Sequence, residues 1–159
     1  MDLQNSSLAQ LKSWLAEQKS STSGKSRTSR NPNLALFSGK DAMKNRLTAR
    51  EMAEEAGVNI RFVVLSPVES KYIGETEKNL SKLFDQTDDK STILYLDEGD
   101  ALFGKRTEVK DSHDRYANQE LSYLLEKISK YPGLVILSVT GDKPVEKALR
   151  ERLLAVVEI

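Results

Sequence analysis

The segment Thr92–Leu96 (TILYL) runs directly into two acids, Asp97 and Glu98. A short, mostly apolar run of this kind reads as a buried strand, which holds whatever follows it at a fixed place. Two carboxylates at a strand end have a defined chemistry in a nucleotide site. The first holds Mg2+ through its waters, and the second orients and polarises an attacking water. The plain alternative is that acids often close strands at a protein surface, so the pair needs context. Gly24-Lys25-Ser26 copies the last three letters of a phosphate-binding loop, but Lys19 stands where the first glycine belongs. No strand precedes it, and Asn31-Pro32 follows in place of a helix, so it is read as chance in a Ser/Lys-rich stretch. Other chemistries have little material: there is no cysteine, and His113 is the single histidine.

The elements that must position the acids follow a regular order. Leu34–Ser38 (LALFS), Ile60–Leu65 (IRFVVL), Thr92–Leu96, Leu134–Val139 (LVILSV) and Ala155–Ile159 (AVVEI) read as strands. Helical patterns lie between them at Asp41–Ala56, Glu75–Gln86, Asp114–Lys130 and Val145–Leu153, with Gly57 and Tyr131-Pro132-Gly133 as stops. Near-continuous apolar strands alternating with helices predict an α/β fold, a parallel five-stranded sheet with helices on both faces. Ligands of such sheets bind at the carboxyl ends of the strands. The acids must therefore share that edge with the loop after Ser38. Ahead of this core, Ser6–Lys19 reads as an amphipathic helix with Leu8, Leu11, Trp14 and Leu15 at helical spacing, which docks on this domain or recognises a partner. Residues 1–19 are taken as that helical unit, 20–33 as a flexible Ser-rich linker, and 34–159 as the core domain.

Several segments resemble the AAA-type P-loop ATPases in order and spacing. ILYLDEGDALFGKR is similar to the family's Walker B segment, and VKDSHDRYAN looks like a bacterial branch. Lys71–Phe84 (KYIGETEKNLSKLF) resembles the first central-pore loop and its helix. Gly133–Lys143 resembles the strand carrying the sensor residue, and Arg150–Ile159 the segment with the arginine fingers. The resemblance implies ATP and Mg2+ as cofactors, Asp97 as the Mg2+ residue, and Glu98 as the residue that activates water. It makes Gly39 part of the phosphate loop, Thr140 or Gly141 the sensor position, and Arg152 a finger acting on a neighbouring subunit, with Glu151 beside it. It implies that Lys71, Tyr72 and Ile73 grip a polypeptide client within a ring of AAA-type subunits. The family's sheet domain is followed by a small helical lid, and with the sequence stopping at Ile159, where the sheet ends, that lid is expected to be missing here.

The loop after the first strand departs from the family pattern. A phosphate loop reads G-x-x-x-x-G-K-S/T: its glycines let backbone N–H groups wrap the phosphates, its lysine neutralises the β and γ oxygens, and its hydroxyl ligates Mg2+. Here Gly39 matches the first glycine, while Lys44, Asn45 and Arg46 replace the second glycine, the lysine and the hydroxyl residue. The cations Lys40, Lys44 and Arg46 and the helix N-terminus offer some compensation for phosphate binding. Three functions are compatible with this: a weak ATP–Mg2+ binder working inside a ring, a non-catalytic interaction module built on the same fold, or a remnant.

Composition narrows the surroundings. The 159 residues carry 24 basic and 24 acidic side chains, which gives no electrostatic reason to expect nucleic acid or an anionic membrane. No apolar run approaches the roughly 18–20 residues of a membrane span. With no cysteine and no apolar leader, a cytoplasmic protein is expected.

Overall fold

The structure is a computed structural model, and it describes residues 3–20, 32–65, 73–87, 91–102, 122–141 and 147–159. Five strands form one parallel sheet: β1 (Leu34–Ser38), β2 (Asn59–Val64), β3 (Thr92–Asp97), β4 (Val135–Val139) and β5 (Leu153–Glu158). Their spatial order is β2-β3-β4-β1-β5. The helices are α1 (Leu3–Ser20), α2 (Ala42–Ala56), α3 (Ile73–Gln86), α4 (residues 122–130) and α5 (Lys147–Arg150). The expected architecture is therefore present, with shifted boundaries at the end. The last helix stops at Arg150 and β5 already begins at Leu153, two residues before the apolar run that suggested it.

Both faces of the three central strands, β1, β3 and β4, are buried, which is why these strands lack a polar alternation, while the edge strands β2 and β5 are partly exposed. Leu36, Leu94, Leu96, Val135 and Leu137 pack on one face with Leu83 and Phe84 of α3 and Leu124, Leu125 and Ile128 of α4. Ala35, Phe37, Ile93, Tyr95 and Ile136 face the other way, toward Ala49, Met52 and Ala53 of α2 and Leu11 and Leu15 of α1. The N-terminal helix thus docks on its own domain. Gln10 Nε2 donates to the Leu154 carbonyl at 3.0 Å, and Lys12 pairs with Glu55 of α2.

Asn33, placed by composition in the flexible linker, is buried. Its backbone carbonyl accepts from Val135 N at 2.9 Å, which starts the β1–β4 ladder. Its side-chain amide donates to the carbonyls of Ile128, Tyr131 and Gly133 at 2.9, 3.1 and 2.9 Å. These lie in the last turn of α4 and the turn after it, where carbonyls lack intrahelical partners.

Both ends of α2 are capped. Asp41 is the N-cap of α2, and Gly57 ends the helix in the left-handed region at φ 70°, a conformation glycine takes without steric cost. Because β1 and β3 are parallel, the residues after Ser38 and those ending β3 lie on the same edge of the sheet. The tip of β4 stands between them.

Candidate functional site

In this strand order the chain leaves β1 toward β2 on one side and leaves β4 toward β5 on the other. The crevice between the tips of β1 and β4 is thus the topological switch point, where ligands of open parallel sheets bind. Gly39 extends β1 into that crevice, its N–H donating to the Val139 carbonyl at 3.2 Å. The floor of the crevice is taken by Asn45. This side chain is fully buried, and its amide nitrogen reaches Ser138 Oγ at 3.1 Å, the Gly39 carbonyl at 3.3 Å and the Val139 carbonyl at 3.4 Å. Gly39 is sterically required here, because a Cβ on it would lie 2.6 Å from Asn45 Oδ1 and 3.0 Å from the Ile159 carbonyl oxygen. Asn45, which stands at the lysine position of a phosphate loop, is thus turned into the sheet tips.

The first turn of α2 closes the arrangement. Ala42, Met43 and Lys44, which would lie in the wrapping loop, are already helical. The N–H groups of Met43 and Lys44 are capped by Asp41 Oδ1 at 3.0 and 3.4 Å. One residue beyond Asn45, Arg46 turns toward β3, and its Nη1 lies 3.0 Å from Asp97 Oδ2. Asp97 is buried, with 5% of its side chain exposed, while Arg46 keeps 38% of its own. The other carboxylate oxygen accepts from the Glu98 N–H at 2.9 Å. Arg46, expected to supply positive charge to a phosphate, supplies it to Asp97 instead.

Glu98 is exposed and holds a left-handed backbone conformation at φ 58°. For a residue with a Cβ this costs roughly 1–2 kcal/mol. It throws the chain into the 3-10 turn Gly99–Leu102 against β4, where a Cβ on Gly99 would sit 2.7 Å from Leu137 Cδ1. That turn carries a residue the sequence reading did not single out. Asp100 accepts from Thr140 N at 3.0 Å through one oxygen and from Gly141 N at 2.7 Å through the other. The sensor position is therefore tied by its backbone to the segment after the acids. An acid two residues past Glu98 was the only available signal for it. Among the described residues no group of three His, Cys, Asp or Glu side chains converges in a way that holds a metal ion.

Tyr95 lies beneath this cluster, and its hydroxyl is pushed up to about 12, mainly by burial. Ser138 acts in the opposite direction, the Asp97 charge adds to the rise, and the Arg46 charge opposes it. The unfolded chain ionises near the ordinary value of 10, so the folded state holds the extra proton between 10 and 12 and loses stability as pH rises through that window. Comparing unfolding free energies at pH 9 and 11, Tyr95→Phe is expected to remove about 1 kcal/mol of the alkaline loss.

The structure brings Gly39, Asp97 and Glu98 to one edge but leaves Arg152 away from them. Arg152 precedes Leu153, which pairs with Leu34 at the amino ends of the strands, so it stands at the opposite end of the sheet. There it lines a groove of about 490 Å3 with Asn33, Glu126 and Glu151. Within one chain it is not part of the Asp97 site. Lys71 and Tyr72 lie outside the described residues. Ile73 opens α3, and its side chain also lies outside them.

A parallel sheet of this order, with a glycine after β1 and an acidic pair closing β3 at the same edge, defines a P-loop NTPase-like domain. The model of the ATPase family associated with various cellular activities (AAA) matches residues 36–159, and the chain belongs to this family. It is 30% identical over 120 residues to the mitochondrial inner membrane i-AAA protease supercomplex subunit YME1 of Saccharomyces cerevisiae, covering 74% of this chain and 16% of that protein. It is 29% identical over 123 residues to a probable 26S proteasome regulatory subunit 10B of Caenorhabditis elegans, covering 74% of this chain and 30% of the relative. A proteasome-activating nucleotidase of Methanoregula boonei is 36% identical over 95 residues, 59% of this chain and 22% of its own. The chain thus spans less than a third of the length of these relatives. They are eukaryotic and archaeal, and they lend no support to the bacterial likeness of VKDSHDRYAN.

ATP and Mg2+ are the family's ligands. Against them the donor set here does not fit. The N–H groups of Met43 and Lys44 are capped by Asp41, the buried slot beside Gly39 holds Asn45, and both oxygens of Asp97 are engaged within the chain.

Proposed function

We propose that this chain is an AAA-family domain that works beside AAA-type subunits on polypeptide substrates without turning over nucleotide itself. The observation that carries the reading is the β1–α2 turn. Its helix begins at Ala42, and Asp41 takes the N–H groups of Met43 and Lys44, so residues that would wrap a triphosphate are already wound into α2. A P-loop works through backbone N–H groups, a lysine and a hydroxyl, and residues 44–46 offer none of the defining side chains. Family membership and the relatives' names, which include a proteasome regulatory subunit and a protease complex subunit, support assembly and protein substrates. Lys71, Tyr72 and Ile73 carry the expected grip on a client. Arg152, at the opposite sheet end from Asp97, suits a role toward a neighbour rather than in its own site. The setting proposed is cytoplasmic.

One observation favours the alternative of weak nucleotide binding. A hollow of about 420 Å3 beside Gly39 is lined by Lys40 and Lys44 as well as Asp41 and Glu158. Thermal melting with millimolar ATP–Mg2+, together with a phosphate-release assay, decides between them. A ligand at about 100 Kd stabilises by about 2.7 kcal/mol, a rise in Tm of roughly 5–10 °C at this chain length. No rise and no phosphate release above background are expected. Turnover of ATP by the purified chain overturns the proposal.

A further inference from the structure

We propose that Arg46 is the built-in replacement for the site's divalent cation, and that it makes the domain indifferent to metal. This rests on the reading above, in which the chain does not use its own nucleotide. A carboxylate as buried as Asp97 is costly to leave unpaired. P-loop enzymes meet that demand with Mg2+ held by a loop hydroxyl and by the acid at the strand end. In this chain the hydroxyl position is Arg46, and its guanidinium lies 3.0 Å from Asp97 Oδ2. The substitution that removes a cation ligand also introduces a cation, and the acid it faces is retained. The two changes are complementary, as a single lost contact would not be.

The negative partner is replaced in the same turn. Where a phosphate would accept from the N-terminal N–H groups of α2, the Asp41 carboxylate accepts from Met43 and Lys44. An acid at the N-cap and an arginine just over one turn further on thus supply the two charges that a bound phosphate and its cation would bring. Through Arg46, α2 is tied directly to β3; through Asn45, it is tied to β4 and the end of β1. The consequence is mechanical. The geometry between this helix and the three strand tips stays the same whatever the nucleotide state of neighbouring subunits, so the domain is a fixed element in any ring it joins.

The test uses the full chain and Mn2+ as the probe. Electron paramagnetic resonance of free Mn2+ and thermal melting are recorded for the wild type, Arg46→Thr and the double variant Arg46→Thr/Asp97→Asn, with EDTA and with millimolar Mn2+. The wild type is expected to bind no Mn2+ at this concentration and to melt at the same temperature in EDTA. Arg46→Thr is expected to melt lower in EDTA and to recover by about 3 °C or more in Mn2+. The double variant loses that recovery. Arg46→Lys, which keeps the charge, is expected to stay insensitive to Mn2+, so a collapse of the threonine variant still leaves a reading. Mn2+ binding by the wild type, or an equal Mn2+ response with and without Asp97, overturns the inference. ATP turnover by the wild type would instead sink the functional reading, and metal-free melting separates the two failures.

Discussion

Asn33→Ala is expected to lower the unfolding free energy by about 2–3 kcal/mol, a fall in Tm of roughly 5–10 °C for a chain of this size. The side chain is buried, and its two amide protons are shared among three carbonyls that end α4 and the turn before β4. Alanine removes both donors from a buried turn in which the Ile128 carbonyl keeps only its bond from the Tyr131 N–H at 3.0 Å. Asn33→Asp should be worse, since a carboxylate donates nothing and its charge would face three carbonyl oxygens. Denaturant melts of both variants beside the wild type check the ranking. If aspartate proves milder than alanine, water rather than Asn33 satisfies this turn. The effect should also reach the groove beside Arg152, because Asn33 fixes where β1 begins and lines that groove.

Asn33 also marks where sequence reasoning stops. It sits at the end of SSTSGKSRTSRNPN, and nothing in that composition separates it from its polar neighbours. Its burial depends on α4 and on a turn about a hundred residues away, contacts that no local window contains. The strands were legible for the opposite reason. LALFS, TILYL and LVILSV are almost continuously apolar because both faces of these central strands are covered, and that demand is written locally in each run. The same holds for Gly57, whose left-handed conformation suits the residue type found at a helix stop.

The candidate site was half legible. The acids and Gly39 reach one edge of the sheet because parallel strands place all carboxyl ends together. What residue types alone did not decide was where the replaced loop residues turn. Lys40, Lys44 and Arg46 are three cations in one short segment, and charge alone offers each of them equally to an anion. Helix phase separates them: Lys44 is exposed, Asn45 points into the β1–β4 crevice, and Arg46 points toward β3. A retained acid beside a lost cation ligand was the available clue, and it needed the strand order to become a contact. Asp100 escaped for a similar reason, since its partners are backbone N–H groups that no residue type announces.

Restoring the loop with Lys44→Gly, Asn45→Lys and Arg46→Thr together should give the largest functional change. Two charge-assisted contacts regained, at about 1.5–3 kcal/mol each, amount to a gain in ATP–Mg2+ affinity of roughly 10^2–10^4-fold. The same variant should be less stable than the wild type without ligand. A glycine in the first turn of α2 weakens the helix by about 1 kcal/mol. An ammonium at position 45 would enter a slot that is fully buried today, and a threonine at position 46 leaves Asp97 without its cation. Nucleotide and Mg2+ supply what each change lacks, so ligand dependence and instability should arrive together. Single changes should not add up to this result, because the three residues are consecutive at the start of α2 and would have to hold one ligand together. Asn45→Lys alone sets three cations in a row at positions 44–46, and Arg46→Thr alone leaves Asn45 in its buried slot. Titration with a fluorescent ATP analogue and melts in EDTA measure both halves. A triple variant that melts like the wild type and still binds nothing would mean that the Asp41 cap, rather than residues 44–46, holds the turn closed. Adding Asp41→Gly would then be the change that opens it.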